Sequence, residues 1–281
     1  MFTPQLEQTP HQQQQPGHAV IVWLHGGAFS RGSASPRDYG PERLLDRRDL
    51  VVVSLNYRLG ALGFLTTGSA AAPPNLGLRD QQLALAWVRD NIRAFGGDPS
   101  RVTLAGQGSG ATCVMAHLVS PLSAGLFQRA VAMSGVWGFH PFLDSRQEEG
   151  RYAALLAAEL YCDEEDEDTG DSAEDAMIDC LRRRDAAAIV RAALKFQRYG
   201  HLPMAFKPMQ DSFLADPVLP EDPWTSGRPH QDVPLLIGAN RDEGIVSLLP
   251  FLLNETLYGQ LEGFDTEGPV LLFGTDPSQV N

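Results

Sequence analysis

Cysteine is scarce. The 281 residues carry only Cys113, Cys162 and Cys180, too few for a fold held by disulfides, and their spacing matches no metal-ligand pattern. Basic charge is also short: 22 Lys and Arg stand against 35 Asp and Glu, a net charge of −13. Such a surface repels polyanions, which argues against nucleic acid or an anionic membrane as main partner. No apolar run approaches the ~18 residues of a membrane-crossing helix, so no membrane span is expected. The opening "MFTPQLEQTPHQQQQPGH" has neither a basic start nor an apolar core, so it does not read as a secretory leader. Its Gln and Pro content makes residues 1–17 a polar lead-in. Nothing in the chain calls for a cofactor or a bound metal, and no internal repeat is present.

What is there is an apolar fraction of 43%, enough to bury a large core. It is concentrated in short runs. "AVIVWLHGG" (19–27), "DLVVVSLNYR" (49–58), "RVTLAG" (101–106), "RAVAMSG" (129–135) and "VPLLIGANR" (233–241) are five candidate strands. Continuous apolar runs of this length suit strands buried on both faces, as in a parallel sheet. Between the second and third, Ala84, Val88, Ile92 and Phe95 recur at helical spacing, and Gly96, Gly97 and Pro99 close the helix. Strand, helix and strand at this spacing predict right-handed crossovers and an α/β fold. Sites in such sheets gather at the carboxyl ends of the strands.

One such end is "LAGQGSG" (104–110). A strand, a glycine-flanked turn and a helix are the setting of a nucleophile elbow, Gly-x-Ser-x-Gly. Gly106 and Gly110 hold the outer positions, but the centre is Gly108, and Ser109 comes one place late. The elbow needs small residues two before and two after its centre, because strand and helix pack closely there. Counted from Ser109 those neighbours are Gln107 and Ala111, and Gln107 is too large. Gly108 is therefore the centre. Glycine adopts the strained backbone of that position without the penalty a serine carries, so the fold can survive loss of the nucleophile.

The stretch "DEEDEDTGDSAED" (163–175) is almost entirely acidic, small or polar. It lacks the alternation and glycine placement of a calcium loop and reads as a solvated excursion. Cys162 and Cys180 bracket it.

Together, "VIVWLHGGAF", "NYRLGALGFL", "NLGLRDQQLALAWVRDNIRAFGGDPSRVTLAGQGSGA", "GLFQRAVAMSG" and "VPLLIGANRDEG" closely resemble the type-B carboxylesterase and cholinesterase family. The resemblance implies an α/β-hydrolase fold over residues 18–281, with the chain incomplete at both ends and the C-terminal part of the fold outside it. A parallel sheet cut after its fifth strand would expose an apolar edge.

In that family a serine attacks an ester carbonyl, a histidine takes its proton, an acid orients the histidine, and backbone N–H groups hold the oxyanion. By motif match, Gly27, Ala28 and Ser109 stand at the oxyanion-hole positions, Gly108 at the lost nucleophile, and Glu243 of "NRDEG" at the triad acid. The family's histidine follows the acid, whereas His11, His18, His25, His117, His140, His201 and His230 all precede Glu243. The resemblance also implies a disulfide between Cys162 and Cys180 around the acidic excursion, with Cys113 a buried free thiol. It places the chain outside the cell, as a secreted protein or an ectodomain, and "NET" then makes Asn254 a glycosylation site.

Three functions are compatible with a scaffold that lacks its nucleophile. The glycine at the elbow centre and "GATCV" are similar to the neuroligins, non-catalytic members that bind extracellular protein partners. The tail "NETLYGQLEGFDTEGPVLLF" is similar to arthropod esterases, which points to a divergent or fragmentary ester hydrolase. A site without a nucleophile can also hold an apolar ester without cleaving it.

Overall fold

Each of the five apolar runs contains a strand, and their β-branched residues suit that extended backbone. The computed structural model describes residues 1–3, 17–46, 49–135, 146–163, 172–196, 205–221 and 229–243. Strands β1 (His18–Leu24), β2 (Leu50–Ser54), β3 (Gly97–Gln107), β4 (Arg129–Met133) and β5 (Leu235–Gly238) form one sheet in the order β2-β1-β3-β4-β5. All four pairings are parallel. The helices of the described residues are α1 (Pro36–Tyr39), α2 (Glu42–Leu45), α3 (Gly60–Phe64), α4 (Leu76–Asn91), α5 (Ser109–Val119), α6 (Arg146–Glu159), α7 (Ala173–Arg183) and α8 (Ala186–Ala193). A parallel sheet flanked by helices is the architecture the α/β-hydrolase resemblance implies.

Strand order sets the place of the site. From β1 the chain adds β2 on one side, then returns to add β3, β4 and β5 on the other. The crevice between the carboxyl ends of β1 and β3 is thus the switch point of the sheet. Leu24 pairs with Gly106 there, so "HGGAF" and "GQGSG" leave the sheet side by side.

Three sequence expectations need correction. First, β3 starts at Gly97 rather than at residue 101. Gly97 pairs with His18, and a Cβ on it would sit 2.7 Å from Ile92 Cγ1 and 2.8 Å from Val20 Cγ2, so this glycine is a packing position as well as a helix stop. Second, the buried face of α4 is Leu78, Gln81, Leu85 and Val88, continued by Ile92. Ala84 and Phe95 lie at its margin, half-buried. Third, among the described residues β5 is the edge of the sheet and Leu235, Leu236 and Ile237 are exposed, Leu236 to 68%; it is not buried on both faces. Within the lead-in, Phe2 forms an antiparallel bridge to Val52 with both backbone bonds made, at 2.8 and 3.0 Å.

Cys162 and Cys180 are bonded, with Cα atoms 5.5 Å apart, and Cys113 is free and buried. Burial pushes the Cys113 thiol up to about 12, so it behaves as a small core residue. Asn254 and most of the acidic excursion lie outside the described residues. Among the described residues no helix is long and apolar enough to cross a membrane, and no cluster of His, Cys, Asp or Glu is placed to hold a metal.

Gln81 is in the core because His117 needs it. The amide oxygen of Gln81 can only accept, so His117 Nε2–H donates to it at 2.9 Å, and Nδ1 accepts from the Ser123 hydroxyl at 2.8 Å. Burial holds this imidazole neutral and lowers its pKa from 6.5 to about 4. Between those values the unfolded chain binds a proton that the folded chain refuses. The stability is therefore complete above pH ~6.5 and declines as pH falls towards 4, by up to about 3 kcal/mol. Urea midpoints measured from pH 7 to pH 4 are expected to fall accordingly, and His117→Gln should remove that part of the slope. An identical slope in the variant would contradict this account.

Candidate active site

The turn after β1 carries an unusual backbone. Gly27, Ala28 and Phe29 have φ of 124°, 54° and 56° in succession, and the turn closes when Ser30 and Arg31 N–H groups donate to Gly27 O, both at 3.1 Å. This strain costs free energy at Ala28 and Phe29, and the surroundings hold it in place. Gly26 lies so close to β3 that a Cβ would sit 2.5 Å from Gln107 O. His25 is buried, stacked on Tyr57 with ring centroids 4.5 Å apart, and Tyr57 Oη donates to His25 O at 2.7 Å. His25 Nδ1–H donates to Gly26 O at 2.9 Å. Desolvation lowers the His25 pKa, and the Gly26 bond offsets this only in part. His25 thus fixes the turn.

Gly108 stands at the turn between β3 and α5. Gly108 has φ 59° and ψ −127°, donates its N–H to Met133 O at 2.9 Å, and accepts from Thr112 N at 3.1 Å. A Cβ at Gly108 would meet nothing within 4 Å. At Gly106 a Cβ would run into Gly110 O, and at Gly110 into Leu24 O. The close packing therefore falls two residues before and two after Gly108. Ser109 is the first residue of α5 and 9% exposed, and its Oγ accepts from Phe29 N–H at 3.3 Å. Its hydroxyl ties the elbow to the "HGGAF" turn instead of facing an open space.

The Ser109 bond to Phe29 N–H brings the start of α5 against the turn that carries Gly27 and Ala28. Among the described residues the N–H groups of Gly27 and Ala28 have no acceptor. Ser109 N–H, at the first helical position, has no partner within the helix. The sequence reading did not single out Ser134, the residue after β4. It has φ 55°, its N–H donates to Gly238 O at 2.8 Å, and its side chain is bonded to Glu243. Ser134 and then the Asn240 backbone, whose N–H is 2.5 Å from Glu243 Oε1, hold the Glu243 carboxyl below its usual range. The only signal was position, a polar residue at the carboxyl end of a strand. Glu243 and Ser134 line a cavity of about 560 Å³ with Gln107, Asn240, Arg241 and Asp242.

Among the described histidines, the Nε2 of His25 is buried without a partner. Both ring nitrogens of His117 are engaged, His18 starts β1 at the opposite end of the sheet, paired with Gly97, and the backbone N–H of His230 donates to Leu118 O at 3.0 Å. His11, His140 and His201 lie outside the described residues.

The chain is similar to proteins of known kind over most of its length. The model of the carboxylesterase family matches residues 1–267. A carboxylic ester hydrolase of Bombus ignitus is 37% identical over 272 residues, covering 93% of this chain and 45% of that protein. Cholinesterase 1 of Branchiostoma lanceolatum is 39% identical over 81% of this chain and 63% of its own length. Neuroligin-2 of Homo sapiens is 39% identical over 80% of this chain and 25% of its own length. The chain thus spans less than two thirds of each of these relatives.

The glycine pattern predicts a graded response to one added methyl. Gly110→Ala must move the Leu24 carbonyl or the helix and should cost more than about 3 kcal/mol, whereas Gly108→Ala meets only backbone strain of about 1–2 kcal/mol. Urea unfolding of both variants checks this. Equal losses would contradict the register.

Proposed function

Because the chain belongs to the carboxylesterase family, we propose that it is a non-catalytic member of that family. In this reading it acts outside the cell by recognising a protein partner. One observation carries the reading: the nucleophile position is Gly108, in full elbow geometry with open space where a side chain would stand. Glycine leaves no hydroxyl to attack with, and the adjacent hydroxyl of Ser109 is bonded to Phe29 N–H. The relatives include both a neuroligin and ester hydrolases, so family membership alone does not choose between recognition and hydrolysis. Gly108 favours recognition.

A second reading rests on a separate observation. The N–H groups of Gly27 and Ala28 are unspent among the described residues and are thus open to a carbonyl oxygen, which supports holding an apolar ester without cleaving it. That activity is compatible with recognition on the outer surface of the same fold. Secretion and glycosylation at Asn254 belong to this proposal as well.

The test pairs p-nitrophenyl acetate hydrolysis with covalent labelling by a fluorophosphonate. No turnover above buffer and no label at Ser109 are expected. In the 281-residue chain Gly108→Ser should remain inactive, because a serine without a base regains little of the roughly 10⁶-fold that a triad supplies as a unit. Stoichiometric labelling of Ser109 in the unaltered chain would overturn both the register and the proposed role.

A further inference from the structure

The Cys162–Cys180 bond is electrostatically lopsided. Cys162 follows α6 and is 4% exposed, while Cys180 sits on α7, half-buried. Arg184, the residue after α7, turns back over the bond. Its Nε–H donates to Cys162 Sγ at 3.3 Å and its Nη2 to Tyr161 O at 3.0 Å. Cys180 Sγ has a different neighbour, the carbonyl oxygen of Tyr161 at 3.9 Å. Along the chain the two cysteines are balanced, since Asp163 follows one and Asp179 precedes the other. The guanidinium breaks that balance.

A cation against sulfur stabilises the thiolate, and a thiolate stabilised in this way is the better leaving group. A carbonyl oxygen against sulfur does the reverse. The more accessible sulfur is also the one without the cation. We propose that the Cys162–Cys180 bond is a directional thiol-exchange site, where a small thiolate of the glutathione class attacks Cys180 and Cys162 departs as a thiolate held by Arg184.

In the first step the incoming thiolate forms a bond to Cys180 Sγ. The Cys162–Cys180 bond breaks, and its electron pair passes to Cys162 Sγ. A second thiolate then attacks the mixed disulfide and leaves Cys180 as a thiolate. The protein disulfide is thereby reduced by two electrons, and two thiols are oxidised to one disulfide. Opening the bond frees a connection with a sequence separation of 18 that holds α7 to the end of α6. The core contacts of Ile178 and Leu181, the Glu174–Ser69 hydrogen bond and the Arg182 bond to Ala71 O remain. Exchange therefore loosens this flank without detaching it.

The experiment treats the oxidised protein briefly with glutathione, quenches with acid, alkylates the free thiols and maps the peptides without reduction. Glutathione is expected on Cys180 and the alkyl group on Cys162, by at least about fivefold over the reverse, with Cys113 bearing neither. Arg184→Gln should slow exchange about five- to tenfold and even out the two products, while Arg184→Lys should keep most of the bias. A merely structural arginine would do the opposite, because its loss would loosen the bond and speed reduction. Faster or unchanged exchange in Arg184→Gln overturns the proposal. Should that variant fail to fold, glutathione found chiefly on Cys162 of the unaltered protein, or equally on both cysteines, overturns it alone.

Discussion

The contact on which the site depends is the approach of α5 to the carboxyl ends of β1 and β3, so close that Gly110 cannot carry a methyl without striking the Leu24 carbonyl. That approach puts the first residue of α5 against the "HGGAF" turn. It lets Ser109 Oγ reach Phe29 N–H. Gly106, Gly110 and Gly135 all serve it, since a Cβ on Gly135 would run into Gly108 O. Residue 108 itself takes no part in that packing, since a Cβ there would meet nothing within 4 Å. Packing and reactivity are separable here because different residues supply them.

Strain is distributed in the same way. The turn keeps positive φ at Ala28 and Phe29, and Ser134 keeps it at the end of β4. Such backbone persists only where its surroundings over-determine it. Around the turn, the surroundings are the buried His25–Tyr57 stack and the Ser109 bond. At Ser134 they are the Gly238 carbonyl and the Glu243 carboxylate. Gly108, by contrast, occupies its φ of 59° at little cost because it lacks a Cβ. Gly108 is relaxed, while the "HGGAF" turn stays strained.

Much of the fold was legible in the sequence because burial in a parallel sheet leaves a strong mark. Runs such as "AVIVWL" and "VVVSL" have no comfortable alternative to a buried strand. The elbow register was legible from residue size alone. The helix face of α4 was misread by one position because apolar spacing ignores a buried polar residue, and Gln81 is buried only by virtue of His117, 36 residues away. Other links were invisible for the same reason. Asn75 donates to Asp211 at 3.0 Å and to Met209 O at 2.7 Å across more than 130 residues, and Asp211 in turn accepts from Leu219 N–H at 2.6 Å. Ser134 meets Glu243 only because β4 and β5 are neighbours. The disulfide followed from the family resemblance; nothing in the spacing required it.

The central claim is the proposal that the elbow has no nucleophile at Gly108 and that the adjacent hydroxyl of Ser109 is structural. A crystal of the protein soaked with a reactive phosphonate ester tests this most directly, at a resolution that places the Ser109 hydroxyl. The account predicts Gly108 at positive φ and Ser109 Oγ within hydrogen-bonding distance of Phe29 N, with no covalent adduct. Phosphorus bonded to Ser109 Oγ, with residue 109 rotated into the elbow position, would contradict it.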